Sequence, residues 1–268
     1  MGENDITLNR RQTLMTSVAT IAAASITFLA FAADPILIGV PYRHGNTSQA
    51  SVDLVRNNPD KYRNITDVQF PVQDWTPIIQ AQKAADCGVI MIDHWVAAEL
   101  ASFALADVLG LTPGAPVYLQ YGPAQPEFLD LAGDAAEGFV WGSVIGTYAD
   151  EMGMAFRQAC MAKYPGTMGM VYSGSGHDTT HMLACVRATV DPSDFDGVSA
   201  AIKAISHRGV CGTYTFANDG HTPQSYPNTT DEPEAGQARL IFQVQDGAHT
   251  IISPAILKQA VIRPEPWM

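Results

Sequence analysis

Apolar runs alternate along the chain with polar and amphipathic stretches. "ILIGV" (Ile36–Val40) reads as a strand and empties at once into the polar loop "HGNTSQ" (His44–Gln49). "SVDLVRNNPDKYRNI" (Ser51–Ile65) is a polar connection, and "DVQFPV" (Asp67–Val72) has strand character. "DWTPIIQAQKAAD" (Asp74–Asp86) is expected to be a helix. Asp74 suits its N-cap, and Pro77 lies in the first turn, where a missing N–H costs least. "GVIMID" (Gly88–Asp93) is a continuous apolar run, as a strand covered on both faces would be. The amphipathic "VAAELASFALADVLG" (Val96–Gly110) is a helix stopped by Gly110. Next come a strand in "APVYLQYG" (Ala115–Gly122), a short helix over Pro126–Leu131 and a strand in "GFVWGSVI" (Gly138–Ile145). "ADEMGMAFRQACMAKYPG" (Ala149–Gly166) is a helix closed by Pro and Gly.

After Met168 the texture changes. Helices are expected over Ser175–Thr189 and Asp191–Ile205, the second with an acidic start, and a strand over Arg208–Phe216. Ala217–Gln237 is polar and Pro-rich, hence a surface loop. "ARLIFQVQDGAHTIISP" (Ala238–Pro254) is a hairpin turning on Asp246-Gly247. Such strand–helix alternation predicts the α/β class, a largely parallel sheet with helices on both faces. Ligands of such sheets bind beyond the carboxyl ends of the strands. Three polar stretches fit that place: His44–Gln49, Asp93-His94-Trp95 and Tyr121-Gly122-Pro123.

With 268 residues, 47% of them hydrophobic and 16% charged, the chain can bury a sizeable core as one large domain or two lobes. Its formal net charge is −12, and no Lys/Arg stripe interrupts it, so nucleic acid is not an expected partner. Residues 1–32 carry no net charge, because Arg10 and Arg11 balance Glu3 and Asp5. They do carry a pattern. "NRRQTLM" (Asn9–Met15) puts two arginines before the apolar "SVATIAAASITFLAFA" (Ser17–Ala32), which ends in small residues a signal peptidase accepts. This is the pattern of a twin-arginine-type export signal cleaved after Ala32; the alternative is an uncleaved anchor. Either places the folded part outside the cytoplasm. Cys87, Cys160, Cys185 and Cys211 would then sit where disulfides are permitted, but none has CxxC spacing, and buried single thiols are the expectation.

Candidate chemistry is sparse. "HDTTH" puts His177 and His181 on one helix face, but without the Glu of a zinc-protease helix or a third ligand at suitable spacing. "DPSDFD" (Asp191–Asp196) lacks the Gly and closing Glu of a calcium loop; a helix cap at Asp191 or Ser193 explains it. There is no GxSxG elbow, no GxGxxG after the first strand and no Walker loop, so neither a cofactor nor a metal is expected. Trp95 can stack on an apolar ligand moiety, while His94 and Tyr121 can hydrogen-bond; the competing reading is that these residues only pack beneath the following helices.

These residues lie in the stretch "VIMIDHWVAAELASFA…VYLQYGPAQPEFLDLAGDAAEGFVW". Together with "YRHGNTSQASVDLVRNNPDKYRNI", "RGVCGTYTF", "HTPQSYP" and "IFQVQDGAHTIISP", it resembles the leucine/isoleucine/valine-binding protein family. These are extracytoplasmic solute-binding proteins of ABC importers with the type I periplasmic binding fold. The resemblance implies two α/β lobes closing on a small polar solute such as an amino acid or amide, with a membrane permease as partner and no catalysis. It implies a first lobe of residues 33–65 and 163–237 and a second of 66–162 and 238–268. Gly45, Asn46 and Thr47 match the first-lobe ligand loop; His94 or Trp95 and Tyr121 match the second-lobe contacts. Relatives place several strand–helix units between a strand like "ILIGVPY" and a loop like "HGNTSQ", which here abut, so the first lobe is expected to be incomplete. Rival readings are a non-binding remnant of that family and an exported hydrolase using His94 or His177.

Overall fold

The computed structural model describes residues 38–42, 56–59, 62–68, 70–108, 115–166, 168–216 and 220–266. Asn9–Ala32, Gly45, Asn46 and Thr47 lie outside the described residues. The chain divides into two compact units.

One unit contains the described residues up to His94 together with 115–118. Its strand β1 (Ile38–Tyr42) pairs in parallel with β2 (Tyr62–Asp67) on one side and β3 (Val89–Ile92) on the other. The register sets Ile38 opposite Tyr62 and Val89, with a shift between Gly39 and Pro41 on the β2 side. All four residues of β3 are buried, as its unbroken apolar run requires. Between β2 and β3 lies helix α1 (Thr76–Ala84), which buries Ile79 and Gln82. The N-cap is Trp75 rather than the expected Asp74, which accepts the Thr76 N–H at 2.8 Å from one residue earlier; Pro77 occupies the first turn as expected. The expected strand at Asp67–Val72 is displaced. The strand ends at Asp67 and includes the tail of the supposed connection, because Pro71 has no N–H to give a ladder.

The second unit holds Trp95–Gly110 and Leu119–Pro266. Its helices are α2 (Ala97–Val108), α3 (Glu127–Ala132), α4 (Glu151–Lys163), α5 (Tyr172–Arg187) and α6 (Phe195–Ala204). Strand β4 (Val117–Gln120) begins in the first unit and ends in the second. Beyond it come β5 (Val140–Ser143), β6 (His207–Gly209), β7 (Gly212–Tyr214), the two-residue pair β8 (Ser225–Tyr226) and β9 (Gln237–Ala238), β10 (Leu240–Gln245) and β11 (Ala248–Ser253). Hydrogen bonding orders the main sheet β11-β10-β5-β4-β3-β1-β2, with β10 antiparallel to both β5 and β11. This is the largely parallel α/β architecture that the element order predicts; the β10–β11 hairpin adds an antiparallel edge to it.

The core of this unit is aromatic. Trp141 stacks on Phe242 with ring centroids 4.2 Å apart, Phe103 meets Phe139 edge-on at 5.9 Å, and all four are buried. Each such side chain contributes about 1.5–3 kcal/mol on leaving water. The hairpin turn falls where expected: Asp246 and Gly247 both have positive φ, 55° and 74°, as a type I′ turn demands. The carboxylate of Glu137 accepts both their N–H groups.

Three details differ from expectation. Arg208–Phe216 folds into the antiparallel hairpin β6–β7, because Gly212 adopts φ +100° and lets the chain reverse at Val210-Cys211. The cap of α6 is Asp194, which accepts the Gly197 N–H at 2.9 Å; Asp191 instead takes the N–H and hydroxyl of Ser193. Helix α5 starts at Tyr172, three residues before the expected Ser175.

Candidate functional site

The segment after β3 and the turn after β4 meet in the second unit. Gly122 makes the approach possible: a Cβ there would lie 2.2 Å from Leu100 Cδ1 and 3.2 Å from the Trp95 carbonyl carbon, so any side chain would force the two segments apart. Gln125 then ties them, its Nε2 donating to the Trp95 carbonyl oxygen at 2.8 Å. Trp95 is left half exposed, at 49%. Tyr121 is partly buried and has φ +46°, a backbone conformation that costs a non-glycine residue on the order of 1–3 kcal/mol and persists only when its surroundings impose it.

Several bonds impose it. The N–H groups of Ala124 and Gln125 close a tight 3-10 turn onto the carbonyls of Tyr121 and Gly122. The Ala124 carbonyl accepts the Met170 N–H at 2.8 Å, and Met170 in turn accepts from Thr147. The Pro123 carbonyl hydrogen-bonds His249, whose Nδ1 accepts the Trp141 indole N–H at 3.1 Å. Burial, reinforced by the Arg157 charge and opposed by the bond to Pro123, pulls the His249 pKa down to about 4, so the ring is neutral. Arg157 itself donates to the Thr147 carbonyl at 2.6 Å.

The sequence-predicted residues divide accordingly. Trp95 and Tyr121 stand on segments that the fold joins. His94 belongs to the other unit, where it is 2% exposed and lies edge-on to the buried Trp75 at 6.1 Å. Gly45, Asn46 and Thr47 are outside the described residues. Gln125, Trp141 and His249 went unnoticed in the sequence. The one signal available for His249 was strand alternation, which puts it on the same face of β11 as the fully buried Ile251.

A separate apolar groove of about 500 Å³ runs along α4, lined among others by Met152, Phe156, Cys160, Tyr164, His177 and Val210. His177 lies against His181 with ring centroids 4.3 Å apart and planes tilted by 35°, and it contacts the Asp178 carboxylate at 3.2 Å. That carboxylate is engaged elsewhere, accepting the N–H groups of Val210 and Cys211 at 2.7 and 2.8 Å. Among the described residues no group of three or more His, Cys, Asp or Glu side chains could hold a metal ion, and no helix is long and apolar enough to cross a membrane.

This arrangement has the chemistry of a holding surface. It offers an exposed indole face, a phenol and a braced turn at strand ends.

The sequence profile of the periplasmic binding protein family matches residues 32–230. No curated protein matches the chain. Among solved structures, a candidate branched-chain amino acid ABC transporter protein from Silicibacter pomeroyi superposes with a TM-score of 0.76 at 27% identity, over 96% of this chain and 68% of its own. A leucine-binding protein from Thermotoga maritima gives 0.64 at 16% identity, over 89% of this chain and 65% of its own. A solute-binding protein of an R. palustris ABC transporter, in complex with benzoate, gives 0.64 at 16%, over 93% and 64%. The fold is therefore that of the type I periplasmic binding proteins, and the chain belongs to the periplasmic binding protein family.

Proposed function

We propose that the protein is the extracytoplasmic solute-binding component of an ABC-type importer, taking up a branched-chain amino acid or a short amide or urea-like solute and delivering it to a membrane permease. The observation that carries this reading is the junction of the two strand ends: Gly122 and Gln125 lock the Trp95 and Tyr121 segments together and leave the indole exposed. Trp95 supplies a stacking face and Tyr121 a phenol that can donate or accept a hydrogen bond. His94, the residue before Trp95 in sequence, is part of the proposed site and is buried beside Trp75. Gly45, Asn46 and Thr47 would bring backbone amides and a hydroxyl to the solute's polar head. Family membership implies an extracytoplasmic protein; Asn9–Ala32 as a twin-arginine signal is part of this proposal. The mature protein is expected to need no cofactor.

Isothermal titration against the amino acids, their amides, urea and benzoate tests the reading. Saturable heat is expected from one chemical class, and Trp95→Ala should weaken that binding about tenfold, near 1.4 kcal/mol, without lowering the melting temperature. Silence across the panel from a folded sample would instead identify a non-binding remnant. An unchanged affinity in Trp95→Ala would remove the indole from the site.

A further inference from the structure

We infer that His249 is a positioning residue for the turn Tyr121–Gln125, joining the buried Trp141 to the Pro123 carbonyl through its two ring nitrogens. The inference rests on the reading of that turn as ligand-facing.

The chemistry of the ring fixes the direction of each bond. Trp141 Nε1 is a donor only, so His249 Nδ1 must be the unprotonated nitrogen that accepts it. The single proton of the neutral ring then resides on Nε2, the nitrogen left to donate to the Pro123 carbonyl. The anchor at the far end is rigid: Trp141 is 0% exposed and stacked on Phe242. Register brings the parts together, since β10 sets Phe242 opposite Trp141 in β5 and Val244 opposite His249 in β11. Phe128, in the helix that follows the turn, stacks on the imidazole at 6.5 Å and restricts its tilt. Arg157 of α4 is the charge the ring feels.

The turn needs such a hold. Tyr121 sits at φ +46°, and the relaxed alternative is a negative φ that would swing its side chain to a different direction. Successive carbonyls are pinned from different elements, Pro123 by His249 and Ala124 by Met170, while the Gln125 side chain pins the Trp95 carbonyl. Without the imidazole bond the Pro123 carbonyl, two residues from Tyr121, loses its brace from β11. A phenylalanine at 249 would keep most of the packing and none of the bonding; a glutamine places an amide donor near the position of Nε2.

The test compares wild type, His249→Phe and His249→Gln by hydrogen exchange at the Ala124 and Gln125 amides. Exchange should accelerate about tenfold in His249→Phe, recover most of the way in His249→Gln, and stay unchanged at Val198 in α6. Titration with L-leucine should show weaker binding in His249→Phe with recovery in His249→Gln. Equal exchange in all three proteins would overturn the inference. If wild type binds no L-leucine while exchange follows the expected order, the positioning role stands and the proposed ligand is wrong. Should His249→Phe fail to fold, nitrogen chemical shifts of wild type decide: an Nε2–H tautomer supports the inference, an Nδ1–H tautomer or an imidazolium refutes it.

Discussion

A histidine hydrogen-bonded at both nitrogens, one as acceptor and one as donor, cannot take a second proton without breaking the accepting bond. For His249 this couples folding to pH. Its pKa is about 4 in the folded protein against an ordinary 6.5, so as pH falls the unfolded chain takes up the proton first. Between those two values the unfolded state binds more protons, and stability therefore rises with pH. The stabilising effect is whole above 6.5 and is lost progressively as pH drops toward 4. Urea unfolding across that window should show the wild type losing stability faster than His249→Gln; parallel losses would contradict it. At this scale little was legible beforehand. Trp95 and Tyr121 could be picked out because aromatics at strand ends have a local signature. His249 could not, because its role depends on Trp141 and Pro123, each more than a hundred residues away in sequence.

Elements are held by side chains borrowed from other elements, and Asp178 is the sharpest case. It sits in α5, is 0% exposed, and spends its carboxylate on the β6–β7 turn through the N–H groups of Val210 and Cys211 and the Tyr214 hydroxyl. Removing it strands two buried backbone donors. Asp178→Ala should cost about 2–5 kcal/mol, read as a lower urea midpoint, whereas an exposed aspartate such as Asp231 should tolerate the same change. The periodicity of the sequence identified α1, α2, α4, β3, β4, β5 and the β10–β11 hairpin to within a few residues, since each is encoded by its own alternation and terminal residues. It missed the β6–β7 reversal, which needs Gly212 at positive φ and a carboxylate arriving from α5. The sequence also shifted β2, whose ladder depends on β1 rather than on its own apolar content.

For the molecule as a whole, the four cysteines are free thiols. Cys185 is exposed, Cys160 partly so, and Cys87 and Cys211 are buried, which narrows the expectation of buried single thiols to two of the four. The Cys211 thiol is pushed up to about 12, by burial first and then by the charge of Asp178. A thiol reagent at mildly alkaline pH should label Cys185 fastest and reach Cys211 only on unfolding; labelling of Cys211 in the folded protein would be inconsistent with this core. The chain covers 68% of the Silicibacter pomeroyi structure it resembles, yet retains the fold across nearly all of its own length. By itself the sequence determined the α/β class, the order of elements and the family, because those follow from short-range alternation and from strings of residues read in order. Only the tertiary structure decided that Trp95 stands exposed while His94 is buried, and that Tyr121 is held in a left-handed turn. Those outcomes depend on contacts between segments distant in sequence, such as Gln125 with Trp95 and Trp141 with His249, and no local pattern encodes which distant segment will arrive.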